Sequence, residues 1–256
     1  RRRQRQMCIR DRVINLKMKN RLRYSLAGFC MGITELIPGI SGATIALLFG
    51  IYKNLISILS NIKLSKKIFS KEYFVNDLQI SLMVFLMFSM IAAILLFSNL
   101  IHYLIESHSS EFFKILSVIM VLVSLRIFLF HPVSERSLQR LLFVIAGGLI
   151  GYLLSLFSVN FEEFIFFLFI GGFIAFTFFI IPGISGSAIL LSIGLYETVI
   201  SSIATFEVLN LLVFGLGCAA SLILMPKLIK KIYEQNSLAM DTFFAGLIFI
   251  SGIFLW

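Results

Sequence analysis

Two five-residue segments carry the chemistry of this chain. Pro38-Gly39-Ile40-Ser41-Gly42 recurs 144 positions later as Pro182-Gly183-Ile184-Ser185-Gly186, each copy inside a long apolar stretch where helix breakers are otherwise unwelcome. A Gly after Pro ends one helix, and Ser-Gly starts another with Ser41 or Ser185 placed to cap the new N-terminus. The free N–H groups of such a start carry about half a positive charge, so each tip is an anion site suited above all to phosphate. Ser41, Thr44, Ser185 and Ser187 add hydroxyl donors, and Gly39, Gly42, Gly183 and Gly186 complete the candidate substrate-binding backbone. The alternative for any one of these hydroxyls is to satisfy its own backbone.

Glu35 lies three residues before Pro38, at the end of the first arm. A carboxylate at that membrane depth costs ~3 kcal/mol and marks function. Its counterpart in the second copy is Phe179, so the symmetry is broken at the charge. A fixed anion beside a bound phosphate repels it unless protonated or paired, which makes Glu35 a candidate proton carrier. The alternatives are a local cap or an ion pair with Arg126. Arg126 itself has two readings, a headgroup anchor that snorkels or a substrate contact.

Lys53 and Glu197 suit interfacial anchors, and Tyr52 and Tyr196 an aromatic belt. His102, His108 and His131 fall in predicted loops without ligand-like spacing, and Cys8, Cys30 and Cys218 show no paired spacing. Neither a metal nor a cofactor is expected.

The elements that hold these groups follow from the duplication. Residues 35–59 laid on 179–203 give 12 identities in 25 positions, including Gly50 with Gly194, Tyr52 with Tyr196 and Ser57 with Ser201. Gly28-Phe29 against Gly172-Phe173 extends the match upstream. Simple packing kinks need no matched pentapeptide with matched flanks, whereas helices broken at corresponding positions of two halves point to a transporter's substrate site. With 59% hydrophobic residues, 14% charged and a mean hydropathy of +0.99, a water-soluble domain is excluded. Apolar runs near 78–100, 112–130, 139–157, 208–226 and 240–256 are long enough to span a bilayer, and the interrupted segments cover 24–60 and 163–203.

The net charge of +9 does not indicate nucleic acid, because residues 1–12 alone hold six Arg and one Asp. That opening reads as a non-native scar, with a lipid-binding basic arm as the alternative. The remainder, 13–256, reads as one transmembrane domain with repeat one over about 22–157 and repeat two over about 163–256. A further C-terminal piece is expected, since the chain stops at Trp256 inside an apolar helix.

Lys and Arg mark cytoplasmic loops. Lys17, Lys19, Arg21 and Arg23 precede the first broken segment and Lys63, Lys66, Lys67 and Lys71 follow it, so both of its ends are expected inside. The loop from His102 to Glu111 has neither residue and should lie outside, while Arg136 and Arg140 mark the next as internal. Glu162 and Glu163 precede the second segment and Glu207 follows it, so both its ends are expected outside; Lys227, Lys230 and Lys231 return the chain inward. Each broken segment therefore begins and ends on one side, and the second copy is inverted. The arm from Tyr24 to Ile37 is about 21 Å as helix, short for a crossing, which favours re-entrant hairpins over double crossings. The expected fold class is all-α, a polytopic membrane protein with inverted repeats and two re-entrant helical hairpins.

On these residues the chain resembles the polyprenyl-phosphate (undecaprenyl-phosphate) transporter family over residues 22–256, with the doubled Pro-Gly-Ile-Ser-Gly and the trailing Gly-Ile-Tyr and Gly-Leu-Tyr as its marks. Glu35 stands where the family usually has Asp and Ala43 where a second Gly is usual. The resemblance implies a flippase that returns undecaprenyl phosphate from the outer to the inner leaflet of the bacterial plasma membrane, a lipid-phosphate substrate, and no enzymatic activity. The motifs also resemble those of undecaprenyl-pyrophosphate phosphatases, the alternative reading. There, however, the first Glu position is Met31, the His position Thr44 and the Arg position Gly186, so base, proton donor and cation are missing. A transporter of a small soluble anion is a third reading.

Overall fold

The computed structural model describes residues 2–62, 79–129, 137–156, 158 and 165–256, with the backbone alone for 2–17 and 137. Lys63, Lys66, Lys67, Lys71, Arg136, Glu162 and Glu163, on which part of the loop-charge reading rests, lie outside those residues, as does His131. The described residues form eleven helices: α1 (Arg2–Glu35), α2 (Gly42–Leu48), α3 (Tyr52–Ser60), α4 (Ile80–Ser107), α5 (Ser109–Leu129), α6 (Ser137–Leu156), α7 (Ile165–Phe179), α8 (Gly186–Ser192), α9 (Tyr196–Ala204), α10 (Val208–Gln235) and α11 (Ser237–Phe254). Five of them, α4, α5, α6, α10 and α11, are long and apolar enough to cross a bilayer. Their outer faces carry large apolar side chains: Phe88, Leu95 and Leu96 on α4 are each more than 70% exposed, which fits contact with lipid and not with water.

Both broken segments are hairpins. Pro38 ends the first arm, and Gly39 turns the chain at φ +87°, a conformation that an L side chain resists. The chain then doubles back: Gly42 packs against Met31 and Glu35, while at the far end of α2 the Phe49 carbonyl accepts from Arg23 Nε at 2.6 Å. A helix whose start lies beside residue 35 and whose end lies beside residue 23 runs antiparallel to α1. The second copy repeats this, with Gly183 at φ +89°, Gly186 against Ala175 and Phe179, and Leu195 against Gly171. At each base a second glycine bend turns the chain, by 119° from α2 to α3 and by 109° from α8 to α9.

The equivalence continues beyond the hairpins. Helices α4 and α10 both have 28 residues. Gly28 of α1 meets the Leu86 carbonyl of α4, and Gly172 of α7 meets the Phe214 carbonyl of α10, so each inner arm packs backbone to backbone on the long helix of its own repeat. The two copies are inverted relative to one another. Asn210, in the first turn of α10, donates to Ser202 Oγ at 3.2 Å at the base of the second hairpin. Tyr233, in the last turn of α10, lies against Tyr52 and under Lys53 at the base of the first, with centroid distances of 6.1 and 6.0 Å. A 28-residue helix is about 42 Å long, so the two bases sit at opposite ends of a spanning helix and the tips meet between them.

Three expectations are corrected. Tyr52 is 1% exposed and is no interfacial residue; its hydroxyl donates to the Ile180 carbonyl at 3.0 Å and ties the base of the first hairpin to the neck of the second. Tyr196, its counterpart, is 37% exposed. His102 is helical, because α4 continues through it to Ser107 and α5 starts two residues later; its Nε2 lies 3.3 Å from Glu106. The apolar run read as ending near 226 continues through Pro226 as helix to Gln235, and Asn236 both ends α10 and caps α11, accepting from Ala239 N–H at 3.0 Å.

Candidate functional site

The first tip is closed by the chain's own atoms. Ser41, extended at φ −102°, caps α2 and accepts from Ala43 N–H at 3.2 Å, and its carbonyl takes the N–H of Thr44 at 3.0 Å. The remaining donor, Gly42 N–H, is held by Glu35 Oε1 at 3.1 Å. Glu35 therefore bonds within its own hairpin and not with Arg126. Its carboxylate supplies the negative group that an incoming anion would otherwise bring to this helix start.

The second tip is open. Phe179 replaces Glu35 and offers no acceptor, and Ser185 makes no side-chain cap. Its Oγ instead lies 2.8 Å from Ser187 Oγ. Among the described residues no protein group accepts from Gly186 or Ser187 N–H. Two hydroxyls bonded to each other and two amides without a protein acceptor thus stand at the tip equivalent to the one where the first hairpin places a carboxylate.

A cavity of about 270 Å³ joins the two tips. Glu35, Ile40 and Ser41 line it from the first hairpin and Ser185, Gly186 and Ser187 from the second, while Phe176, Phe179, Leu190 and Cys218 form an apolar wall. Among the described residues no Lys or Arg lines it. The tips are locked to each other, with Gly183 N–H donating to Thr44 Oγ1 at 2.9 Å and Ser41 Oγ to the Ile181 carbonyl at 3.4 Å, and Ser251 Oγ of α11 holds the second tip by donating to the Gly183 carbonyl. Such a site can bind a tetrahedral oxyanion through hydroxyl and backbone donors, with a carboxyl group on the facing wall to exchange a proton and an apolar side for hydrocarbon.

The ten residues singled out in the sequence are thus sorted by the fold. Glu35, Ser41, Ser185, Gly186 and Ser187 face the cavity. Thr44 is completely buried and spends its hydroxyl on Gly183, so it joins the tips. Gly42 turns its N–H to Glu35, and Gly39 and Gly183 lie on the other side of the second tip, beside a further cavity. Arg126 is exposed on α5 and is not among the lining residues.

A protein-family model described as undecaprenyl phosphate translocase-like matches residues 31–256. The chain belongs to that family. A curated relative from Vibrio cholerae, named polyprenyl-phosphate transporter, is 31% identical over 242 residues, covering 90% of this chain and 76% of the relative. Another of the same name from Staphylococcus aureus is 29% identical over 240 residues, covering 87% and 82%. No solved structure matches the chain.

One polar pair escaped the sequence reading of this family member. Asp241, 9% exposed in the second turn of α11, accepts from the Tyr233 hydroxyl at 2.5 Å, and the Tyr233 ring packs on Tyr52. The available signal was a carboxylate inside an otherwise apolar span, five residues after Asn236. Its tyrosine partner is eight positions away across a helix–helix turn that the sequence did not place.

Proposed function

We propose that this chain carries undecaprenyl phosphate across the bacterial plasma membrane, from the outer to the inner leaflet, with Glu35 as the proton-carrying group. The observation that carries this reading is the pairing of an open donor tip at Ser185 and Ser187 with a carboxyl-bearing tip at Glu35 across one cavity. The phosphate binds the open tip. When Glu35 is protonated the facing wall is neutral and admits the anion; when Glu35 ionises, like-charge repulsion expels it. The apolar wall of Phe176, Phe179 and Leu190 favours a lipid over a small soluble anion. The names of the relatives agree with a polyprenyl-phosphate cargo.

Hydrolysis is disfavoured by the positions a phosphatase of similar motifs would use. Met31 is buried in the core, Thr44 is committed to Gly183, and Gly186 has no side chain. Among the described residues Glu35 is the one carboxylate lining the cavity, and no histidine, lysine or arginine joins it to serve a leaving phosphate. The test is movement of labelled undecaprenyl phosphate in liposomes, with and without a pH gradient. Transport faster than in protein-free liposomes and accelerated by the gradient is expected. Release of inorganic phosphate from undecaprenyl pyrophosphate, or movement of inorganic phosphate alone, would replace this reading with the enzyme or the small-anion carrier.

A further inference from the structure

We propose that the space behind the second tip is a second station for the lipid-phosphate headgroup, reached from the Glu35 cavity past Ser185. The proposal deepens the transporter reading and rests on it. A cavity of about 200 Å³ lies between α6, α8 and α11. Ser155, Ser192 and Ser251 bring hydroxyls to it from those three helices, and Gly39 and Gly183 line it at the tips. Ser185 lines this cavity and the Glu35 cavity alike. Helix α8 divides its faces accordingly, with Ser187 and Leu190 toward the first cavity and Ala188 and Ser192 toward the second.

The two spaces lie in series. The Glu35 cavity is bounded by Cys218, near the middle of α10. The second is bounded by Ser155 in the last turn of α6 and by Phe254 and Leu255 at the end of α11, the end of the molecule remote from Asn236. Between them stand α8 and the tip peptide that precedes it, whose Gly183 N–H is held by Thr44 of the first hairpin and whose carbonyl is held by Ser251 of α11. At roughly 30 Å³ per water, both spaces accommodate a phosphate group.

Four serine hydroxyls, from α6, α11, α8 and the tip that precedes α8, therefore line one space, a polar lining that a void facing only hydrocarbon does not need. Two of these hydroxyls, those of Ser192 and Ser155, are also free to turn. Ser192 Oγ donates to the Ala188 carbonyl at 3.0 Å and Ser155 Oγ to the Tyr152 carbonyl at 2.7 Å, and each of those carbonyls also has the helical amide four residues on as a partner. Rotating either hydroxyl to a phosphate oxygen therefore leaves no carbonyl without a donor. The headgroup passes from one cavity to the other while Ser185 keeps contact, and the second tip is the partition that yields.

The experiment fills the second cavity without touching Glu35 or Ser187. Ser192→Phe and Ser155→Phe are reconstituted in liposomes with labelled undecaprenyl phosphate, in a background with Cys8 and Cys30 replaced by Ala so that native Cys218 reports on the first cavity. Transport falls at least about tenfold in each, equivalent to about 1.4 kcal/mol on the barrier. Undecaprenyl phosphate still protects Cys218 from a maleimide in both filled variants. In a separate Ser192→Cys protein with Cys218 replaced by Ala, the same lipid protects the new cysteine, whereas inorganic phosphate does not. Parental transport in both filled variants, or a Ser192→Cys thiol that modifies equally with and without the lipid, overturns the second station while transport by the unmutated protein leaves the transporter reading standing. Absence of transport by the unmutated protein overturns both.

Discussion

Replacing Gly183 and Gly39 with Ala, one at a time, turns the duplication into its own control. Both residues turn a hairpin tip at nearly the same backbone angle, φ +89° and +87°. An L side chain held in a left-handed conformation costs about 1–2 kcal/mol, and both variants incur it. Their surroundings differ. A Cβ on Gly183 would stand 2.7 Å from the Ile248 backbone nitrogen and 2.8 Å from Leu247 Cβ, so α11 itself must shift. A Cβ on Gly39 meets only the far end of the Leu255 side chain, at 3.2 Å, which can rotate away. Forcing an extra carbon into a packed site costs about 1–3 kcal/mol, so Gly183→Ala is expected to lose about 2–5 kcal/mol and Gly39→Ala about 1–2 kcal/mol. The assay is thermal unfolding in one detergent, followed by circular dichroism. The Gly183→Ala midpoint should fall several degrees below that of Gly39→Ala. Equal midpoints would refute the reasoning, because they would mean that backbone angle alone, and not the contact with α11, constrains the second tip.

Glu35→Gln is expected to bind lipid phosphate yet lose transport driven by a proton gradient, while Glu35→Asp retains part of it; gradient-driven transport by Glu35→Gln at the parental rate would leave Glu35 as a cap for Gly42 only. Ser185→Ala combined with Ser187→Ala should weaken transport of undecaprenyl phosphate by about tenfold or more, as loss of two hydrogen bonds to a charged group implies. Ser41→Ala should act less on binding and more on stability, because its hydroxyl is already used by Ala43 and Ile181; a larger binding defect in Ser41→Ala than in the double variant would reverse the assignment of the open tip. Single cysteines at Ser109 and Ser237, the equivalent first residues of α5 and α11, should label from outside and from the cytoplasm respectively in a background lacking Cys8, Cys30 and Cys218. Labelling of both from one side contradicts the inversion.

The sequence alone determined what depends on contiguous residues. Pro followed by Gly, then Ser-Gly, prescribes a helix stop and a new helix start, and both copies obey these local backbone preferences, although only Ser41 caps its helix with its hydroxyl. Their word-for-word recurrence disclosed the duplication and the paired helix breaks, and apolar length located the five spans.

Partner choice was not legible, because it depends on which surfaces meet. Thr44 and Gly183 bond across 139 positions and Tyr52 reaches Ile180 across 128, so a residue suited to an interface became a buried tie. Whether Glu35 would face Arg126, its own backbone or open space was undecided until α2 folded back and brought Gly42 N–H to its carboxylate. That closure satisfies one tip and leaves the other open, which two identical pentapeptides cannot reveal. The difference comes from Phe179 in place of Glu35 together with the packing that sets Ser185 between two cavities. Local sequence dictates backbone shape, and only the assembled fold decides which donors are left for a ligand.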